Sequence, residues 1–274
     1  MRGQPVRVAA IDCGTNTIKL LVLDEDGADL EREMRIVRLG QDVDRTGRLA
    51  EEALERTFAA VEEYAALVAR HGVDRIRFCA TSATRDAANA EEFAAGVRAR
   101  LGVAPEVVSG DEEAALAWAG ATRGLPGLAG PVVVLDIGGG STELVLGSGA
   151  TPDVAHSMDI GSVRMTERHL RSDPPSADEV AACVADVESA LDACPVDPGA
   201  AVTLVGVAGT VSDRLVGSTA AERAEMAWLH PGRADVIAAG ALVLSRVLAR
   251  SRVSELVVSE ADILDGIAWS LREG

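Results

Sequence analysis

The sequence predicts an α/β protein built from two similar domains. A short turn between two β-rich segments occurs twice, at 12–17 and at 136–141, and the offset of 124 residues is about one domain long. Strand-like and helix-like segments alternate after each turn, which is typical of an α/β layer arrangement. With 274 residues, 48% of them apolar, the chain is long enough for two modest hydrophobic cores.

The first half opens with three β-rich segments, at 6–12, 17–24 and 30–39, which predict an antiparallel meander whose first turn is the repeated loop. Apolar residues then recur at helical spacing between 50 and 70, as in an amphipathic helix. The elements predicted after it are a strand at 75–80, a helix at 85–100, a strand at 106–109 and a helix at 111–122.

A run of Gly and Pro at 124–131 interrupts this pattern and predicts a boundary between a domain at 1–124 and a domain at 125–274. The second domain repeats the plan of the first. Its predicted strands are 132–136, 142–147, 153–159, 202–207 and 255–258, and its predicted helices are 177–193, 234–250 and 261–271. Whether the last helix packs back on the first domain is open at this point.

Composition restricts the class of protein. The net charge of −17 argues against binding to nucleic acid or to an anionic membrane surface. No window approaches 18 consecutive apolar residues and the N-terminus has no signal-peptide pattern, so a cytoplasmic protein is expected. Four cysteines without CxxC spacing are expected to be small buried residues, and the three tryptophans are expected in the core.

The repeated loop has the composition of an anion-binding turn. In each copy an aspartate ends a buried strand, and the small residues after it allow several backbone N–H groups to point at one anion. One copy would be read as an ordinary hairpin, but two aligned copies predict two domains that face each other across a cleft and hold a phosphate chain between them. The candidate phosphate-binding residues are Gly14, Thr15, Asn16, Thr17, Gly138, Gly139, Gly140, Ser141 and Thr142.

These motifs resemble those of the exopolyphosphatase/guanosine pentaphosphate phosphohydrolase (Ppx/GppA) family. The resemblance extends over the whole chain and implies two ribonuclease H-like domains of the actin, Hsp70 and sugar-kinase superfamily. It is carried by the stretches at 12–17, 80–89, 108–114, 136–143, 159–164, 206–210, 230–235 and 259–267, and it adds Gly209 and Thr210 to the phosphate-binding residues.

The resemblance also implies roles at matching positions. Glu113 would orient and deprotonate the attacking water, Glu143 is the second acidic residue of the site, and Arg85 would contact phosphate. Asp136, with Asp12 and Glu143, would arrange Mg²⁺. Such residues suit in-line phosphoryl transfer, which needs a positioned nucleophile, a metal ion and donors to the equatorial oxygens.

Other charged residues have further expected roles. Glu112, next to Glu113, is expected only to stabilise a helix dipole. Lys19 is left open between an exposed position and one facing the cleft, while Arg164, His230 and Arg233 are further candidate contacts for a long polyanion. His230 is expected to cap or to pack beside Pro231.

The function that the resemblance implies is Mg²⁺-dependent release of orthophosphate from inorganic polyphosphate. Hydrolysis of guanosine pentaphosphate is the close alternative, and aromatic residues at 3% of the chain tilt the choice towards polyphosphate. An ATP-dependent sugar or acetate kinase would share both loops, but the Glu113 segment argues against it. The stretch at 211–229 is short for the family by about two helices, which keeps a non-catalytic phosphate-binding protein open as a third alternative. A homodimer is compatible with the pattern, and the oligomeric state stays open.

Overall fold

The computed structural model describes residues 6–207 and 213–273, and contacts divide the chain into two compact units. Unit 1 comprises 1–124 together with 261–274, and unit 2 comprises 125–260. The terminal segment, which the sequence analysis assigned to a domain at 125–274, therefore belongs with the first unit by its contacts. Each unit carries helices and one five-stranded mixed sheet, so the predicted α/β class is confirmed.

Unit 1 is built on a sheet with the strand order β3-β2-β1-β4-β5. Its strands are β1 (Val8–Cys13), β2 (Thr17–Leu23), β3 (Asp29–Ile36), β4 (Arg75–Ala80) and β5 (Glu106–Val107). Its helices are α1 (Val43–Thr46), α2 (Glu51–His71), α3 (Ser82–Arg85), α4 (Ala90–Leu101), α5 (Gly110–Arg123) and, from the far end of the chain, α11 (Ile263–Glu273).

Unit 2 is built on a sheet with the order β10-β9-β6-β7-β8. Its strands are β6 (Val132–Ile137), β7 (Thr142–Gly147), β8 (Val154–Met158), β9 (Thr203–Val207) and β10 (Leu256–Ser259). Its helices are α6 (Ser162–His169), α7 (Ala177–Ala193), α8 (Asp213–Val216), α9 (Ala220–Ala224) and α10 (Ile237–Arg250), with short 3₁₀ turns at Pro198–Ala200 and Pro231–Arg233.

The two sheets have the same topology. In unit 1, β1 pairs antiparallel with β2 and parallel with β4, and in unit 2, β6 pairs antiparallel with β7 and parallel with β9. The residues of β6 lie 124 positions after those of β1. The duplication seen at the two loops therefore extends to the whole order of strands.

Two predicted boundaries were wrong for local reasons. The helix predicted at 85–100 begins only at Ala90, as α4, while Arg85 ends the separate helix α3; the side chain of Asn89 bonds both the N–H and the C=O of Leu49 and holds the turn between the two helices. The strand predicted to reach residue 39 ends at Ile36, and Arg38 soon after it has a left-handed backbone with φ of 52°.

The cores lie on the sheet faces. In unit 1 one cluster joins the sheet to α2 and α4, and another joins the opposite face to α5 and α11. In unit 2 the main cluster joins the sheet to α6, α7 and α10. Three cysteines are buried as predicted and Cys194 is partly buried. In the described parts of the chain, no helix combines the length and the apolar character needed to cross a membrane.

The tryptophan prediction held for one residue of three. Trp118 is buried, whereas Trp228 is 53% exposed. Trp269 is partly exposed, and its ring lies under the guanidinium of Arg123 at 4.4 Å from the ring centroid. The assumption that large aromatic side chains are buried therefore failed at Trp228.

Helices α5 and α11 approach each other closely in unit 1. A methyl group added to Gly120 would overlap the carbonyl oxygen of Asp262, and one added to Gly266 would overlap the carbonyl oxygen of Leu116. Both obstacles are backbone atoms, which cannot move aside as a side chain would. Glycine at these two positions therefore allows the terminal helix to dock.

We expect Gly120→Ala to lower the thermal unfolding temperature of unit 1, because the added methyl group forces the helices apart at a cost of about 3 kcal/mol. Gly124→Ala, at the end of the same helix, is the matched control, since nothing lies within 4 Å of its added methyl group. Scanning calorimetry of both variants checks the expectation. Equal unfolding temperatures would show that the two helices can separate without cost.

Candidate functional site

The two repeated loops close with the same turn. In loop 1 (residues 14–17) the N–H of Gly14 donates to the carbonyl of Thr17 at 2.9 Å, and in loop 2 (residues 138–141) the N–H of Gly138 donates to the carbonyl of Ser141 at 3.0 Å. These positions are equivalent by the offset of 124 residues. The equivalence seen in the sequence is thus an equivalence of backbone geometry.

Asp12 stands at the end of β1 and is only 5% exposed. It lies opposite Lys19 across the β1–β2 pair, with Lys19 Nζ 3.6 Å from its Oδ2. Burial raises the pKa of Asp12 to about 6 although Lys19 opposes the change. Its Oδ1 is buried and has no hydrogen-bond partner among the described residues, so one carboxylate oxygen is left for a ligand.

The ammonium of Lys19 is shared with a second carboxylate. Lys19 Nζ lies 2.6 Å from Oδ2 of Asp262, in the segment that leads into α11. Burial works against ionisation of Asp262, but Lys19 outweighs it and holds the pKa of that carboxyl below its usual value. The side chain of Lys19 is 19% exposed, which answers the question left open by the sequence: Lys19 turns towards the buried carboxylates.

Glu113 lies in the first turn of α5 and is 8% exposed. The Nη1 of Arg85 donates to Oε2 of Glu113 at 3.1 Å and to the carbonyl of Val108 at 2.8 Å. Arg85 ends α3, directly after β4. Two separate elements therefore hold one ion pair in the place where the sequence predicted the general base.

The neighbouring Glu112 has a different environment. It is exposed, and its Oε1 accepts from Nη2 of Arg77 at 2.6 Å, while its N–H donates to the capping hydroxyl of Ser109. The distinction that the sequence analysis drew between the two adjacent glutamates thus corresponds to a difference in burial and partner.

Loop 1 is also linked to α3. The hydroxyls of Thr15 and Ser82 lie 3.0 Å apart and are buried. Because Ser82 begins the short helix that Arg85 ends, this contact couples the position of loop 1 to that of the arginine. Ser82 was not among the predicted site residues, although it lies within the family-like stretch at 80–89.

In unit 2, Asp136 and Glu143 face each other across the β6–β7 pair. Glu143 is 2% exposed, and its Oε1 accepts from the hydroxyl of Ser157 at 2.7 Å. Glu143 occupies the position equivalent to Lys19 of unit 1. The carboxylate–ammonium pair of the first loop is thus replaced by two carboxylates at the second.

Arg164 flanks loop 2 in the structure. The guanidinium of Arg164, expected to contact a polyanion, is buried, and its Nε donates to the carbonyl of Gly140 at 2.7 Å. His230 behaves as expected, because its Nδ1 accepts from the N–H of Gly232 and caps the following 3₁₀ turn. The predicted phosphate-binding residues Gly209 and Thr210 lie outside the described residues.

The carboxylates fit a hard divalent cation. Within 6–207 and 213–273, no group of three or more His, Cys, Asp or Glu side chains is arranged to hold a metal. Mg²⁺, however, keeps several waters and uses one or two carboxylates together with substrate phosphates. The free oxygen of Asp12 and the acidic pair of Asp136 and Glu143 provide oxygen ligands of that kind.

The chain resembles known proteins over nearly its whole length. Residues 22–212 match the model of the Ppx/GppA phosphatase family. The curated protein named Exopolyphosphatase 2 from Mycobacterium tuberculosis is 44% identical, and the match covers 97% of this chain and 98% of that protein. Exopolyphosphatase 1 from Mycobacterium leprae is 29% identical, with 98% and 88% covered.

Solved structures agree with this result. An exopolyphosphatase-like protein superposes with a TM-score of 0.93 at 42% identity and covers 98% of this chain and 99% of its own. An Aquifex aeolicus member of the Ppx/GppA family has a TM-score of 0.79 at 29% identity, with 98% and 99% covered. The family model, which spans more than half of the chain, and the end-to-end relatives establish that this chain is an enzyme of the Ppx/GppA phosphatase family.

Proposed function

We propose that the protein is an exopolyphosphatase that releases terminal orthophosphate from inorganic polyphosphate. The main support is the end-to-end match to Exopolyphosphatase 2 of Mycobacterium tuberculosis, in a chain that keeps carboxylates at all four family positions. Those carboxylates are Asp12, Glu113, Asp136 and Glu143. A non-catalytic protein would have no reason to keep all four.

In this proposal Glu113 is the general base. A water molecule attacks the terminal phosphorus, the bridging P–O bond breaks, and Glu113 accepts the proton that the water loses. The products are orthophosphate and a chain one phosphate shorter. The contact with Arg85 fixes the direction of this carboxylate.

The remaining described groups would bind the substrate. Backbone N–H groups of loops 1 and 2 provide donors for phosphate oxygens without adding charge. Arg85 has a planar fork of N–H donors, of which Nη1 is used by Val108 and Glu113, and the others suit a phosphoryl oxygen. This local arrangement allows a polyanion to bind to a protein whose net charge is −17.

The proposal includes Mg²⁺, held by Asp12 or by Asp136 and Glu143 together with the substrate. When bound, the ion would neutralise charge that accumulates on the phosphoryl oxygens. The protein's own part is to keep these carboxylates ionised and in place. For Asp12 that task falls to Lys19, 3.6 Å away.

Polyphosphate is preferred over guanosine pentaphosphate because few aromatic side chains are present to stack on a base. The exposed Trp228 lies in the segment before the 3₁₀ turn at Pro231–Arg233. Of the other two tryptophans, both in unit 1, Trp118 is buried and Trp269 packs against the guanidinium of Arg123. Release of phosphate from short and long polyphosphate, guanosine pentaphosphate and ATP, measured in parallel with Mg²⁺, tests this preference. Release from guanosine pentaphosphate alone would overturn it.

We expect Glu113→Gln to lower kcat for polyphosphate about 10²–10⁴-fold, because the amide cannot accept the proton. KM should change little, since the side chain keeps its shape. Glu112→Gln is the matched control, because it alters the adjacent glutamate, which is exposed and bonded to Arg77, and it should leave kcat unchanged. A fully active Glu113→Gln enzyme would exclude this residue as the base.

We expect Arg85→Ala to raise KM roughly tenfold and to lower kcat as well, since one hydrogen bond to a charged group is worth this much and Glu113 loses its partner. The kcat effects of Arg85→Ala and Glu113→Gln should not add, because both act through one ion pair. Steady-state kinetics of both single variants and the double variant measure this coupling. Additive effects would indicate that Arg85 acts on the substrate alone.

Asp12→Asn should make the protein more stable above pH 6 in the absence of Mg²⁺. The folded pKa of Asp12, about 6, lies above the ordinary value of 3.8, so the wild type loses stability as pH rises through this interval, by up to about 3 kcal/mol. If Asp12 holds Mg²⁺, the ion should raise the unfolding temperature of the wild type more than that of Asp12→Asn.

Thermal unfolding at pH 5 and pH 8, with and without Mg²⁺, checks both parts. Asp24→Asn is a control whose effect on stability should have the opposite sign. Backbone N–H bonds lower the pKa of Asp24, so replacing this carboxylate should destabilise the fold above that pKa. An equal response of the wild type and Asp12→Asn to Mg²⁺ would remove Asp12 from the metal site.

A further inference from the structure

A four-residue segment donates backbone hydrogen bonds to the carbonyl groups of each loop. We call residues 37–40 latch 1 and residues 161–164 latch 2. Val37 N–H donates to Asn16 C=O at 3.0 Å, and Gly40 N–H donates to Thr15 C=O at 2.8 Å. Latch 1 therefore donates hydrogen bonds to the two carbonyl groups in the middle of loop 1.

Latch 2 repeats these two bonds at the same offset of 124 residues. Gly161 N–H donates to Gly140 C=O at 3.2 Å, and Arg164 N–H donates to Gly139 C=O at 3.1 Å. A glycine makes a close backbone approach in both latches, since a methyl group on Gly40 would overlap Thr15 and one on Gly161 would overlap Gly139. The latch is therefore part of the duplicated unit, although its sequence is not repeated.

Latch 2 has to order a more flexible loop. Loop 2 contains three consecutive glycines, which have more conformational freedom to lose than Thr15 and Asn16 of loop 1. All three glycine carbonyls accept bonds from latch 2. The donors are the N–H groups of Gly161, Ser162, Val163 and Arg164, the hydroxyl of Ser162 and the Nε of Arg164.

Latch 2 contains an arginine side chain, that of Arg164, which has no counterpart in latch 1. Its position is that of Gly40 in latch 1, and its buried Nε reaches the Gly140 carbonyl at 2.7 Å. A guanidinium buried against a carbonyl favours one orientation of that peptide group. Hydrogen bonds from latch 2 fix the direction of the carbonyl groups of consecutive loop residues. The N–H groups of the same peptides are then restricted to other directions, as an anion-binding turn requires.

We infer that Arg164 is a positioning residue that holds loop 2 in its phosphate-binding form and does not itself contact the phosphate chain. This inference rests on the proposed function for its substrate, polyphosphate. It distinguishes Arg164, whose side chain is 10% exposed and whose Nη2 lies 3.7 Å from Oδ1 of Asp159, from Arg85, whose side chain is 27% exposed. It also explains why a charged residue of an anion-binding region is buried.

Arg164→Met tests the inference, because methionine keeps the apolar stem and removes the donors. KM for short polyphosphate should rise roughly tenfold, the value of one hydrogen bond from a charged donor. The slope of log KM against log salt concentration should stay unchanged, because a positioning residue releases no counterions from the chain. A direct phosphate contact would lower that slope by about one, and this result would overturn the inference.

Arg168→Ala is the matched control. It removes an arginine one turn later in the same helix, which donates to Asp186 and to the carbonyl of Asp159, and KM should not change. Gly161→Ala is a second test that leaves the arginine in place, and it should raise KM by displacing the latch. Gly240→Ala, whose methyl group would meet Ser162 Cβ at an ordinary 3.5 Å, should not.

Hydrogen exchange of the amides at 161–164 gives a readout that is independent of substrate. Exchange should be faster in Arg164→Met than in Arg168→Ala. If exchange is faster in Arg164→Met but the wild type releases no phosphate, the role of Arg164 in holding loop 2 is supported and the proposed function is refuted. Unchanged exchange and unchanged KM in Arg164→Met, in an active enzyme, would refute the latch alone.

Discussion

A tight turn between antiparallel strands, closed by one backbone hydrogen bond, determines where the two charge pairs beside the loops lie. It occurs at Gly14 and again at Gly138. Because the turn is short, residues close to it on the two flanking strands must face each other. This constraint puts Asp12 beside Lys19 and Asp136 beside Glu143. The same scaffold therefore offers two different charge pairs, a carboxylate beside an ammonium and a pair of carboxylates.

The difference between the two pairs has a physical consequence for the fold. A buried carboxylate beside an ammonium is tolerated because the charges compensate, although Asp12 still has a raised pKa because burial outweighs Lys19. At the second turn Glu143 is buried as well, and Ser157 donates to it. Both turns thus carry a buried carboxylate where burial alone would favour an apolar side chain.

The sequence was sufficient to predict the parts of the site that depend on short spacing. The two turns, the pair of Glu112 and Glu113, and the position of Arg85 after a strand are local, and all lie where the motifs indicated. The link between Lys19 and Asp262 joins residues 243 positions apart, so no local pattern could reveal it. The latches use mainly backbone N–H groups, which leave little trace in residue identity. The break at Asn89 and the exposure of Trp228 depend on tertiary contacts that propensity does not describe.

The contacts of α11 make unit 1 discontinuous, with all of unit 2 inserted between its two pieces. During synthesis on a ribosome, residues 6–124 emerge long before Asp262 and the helix that follows it. Until then Lys19 lacks its 2.6 Å partner, and the apolar face later covered by α11 is open to solvent or to a chaperone. Unit 2 is one continuous stretch of chain, and all of its strands are synthesised before α11. The vectorial order of translation therefore favours a nascent chain in which the second unit is complete while the first still waits for its last helix.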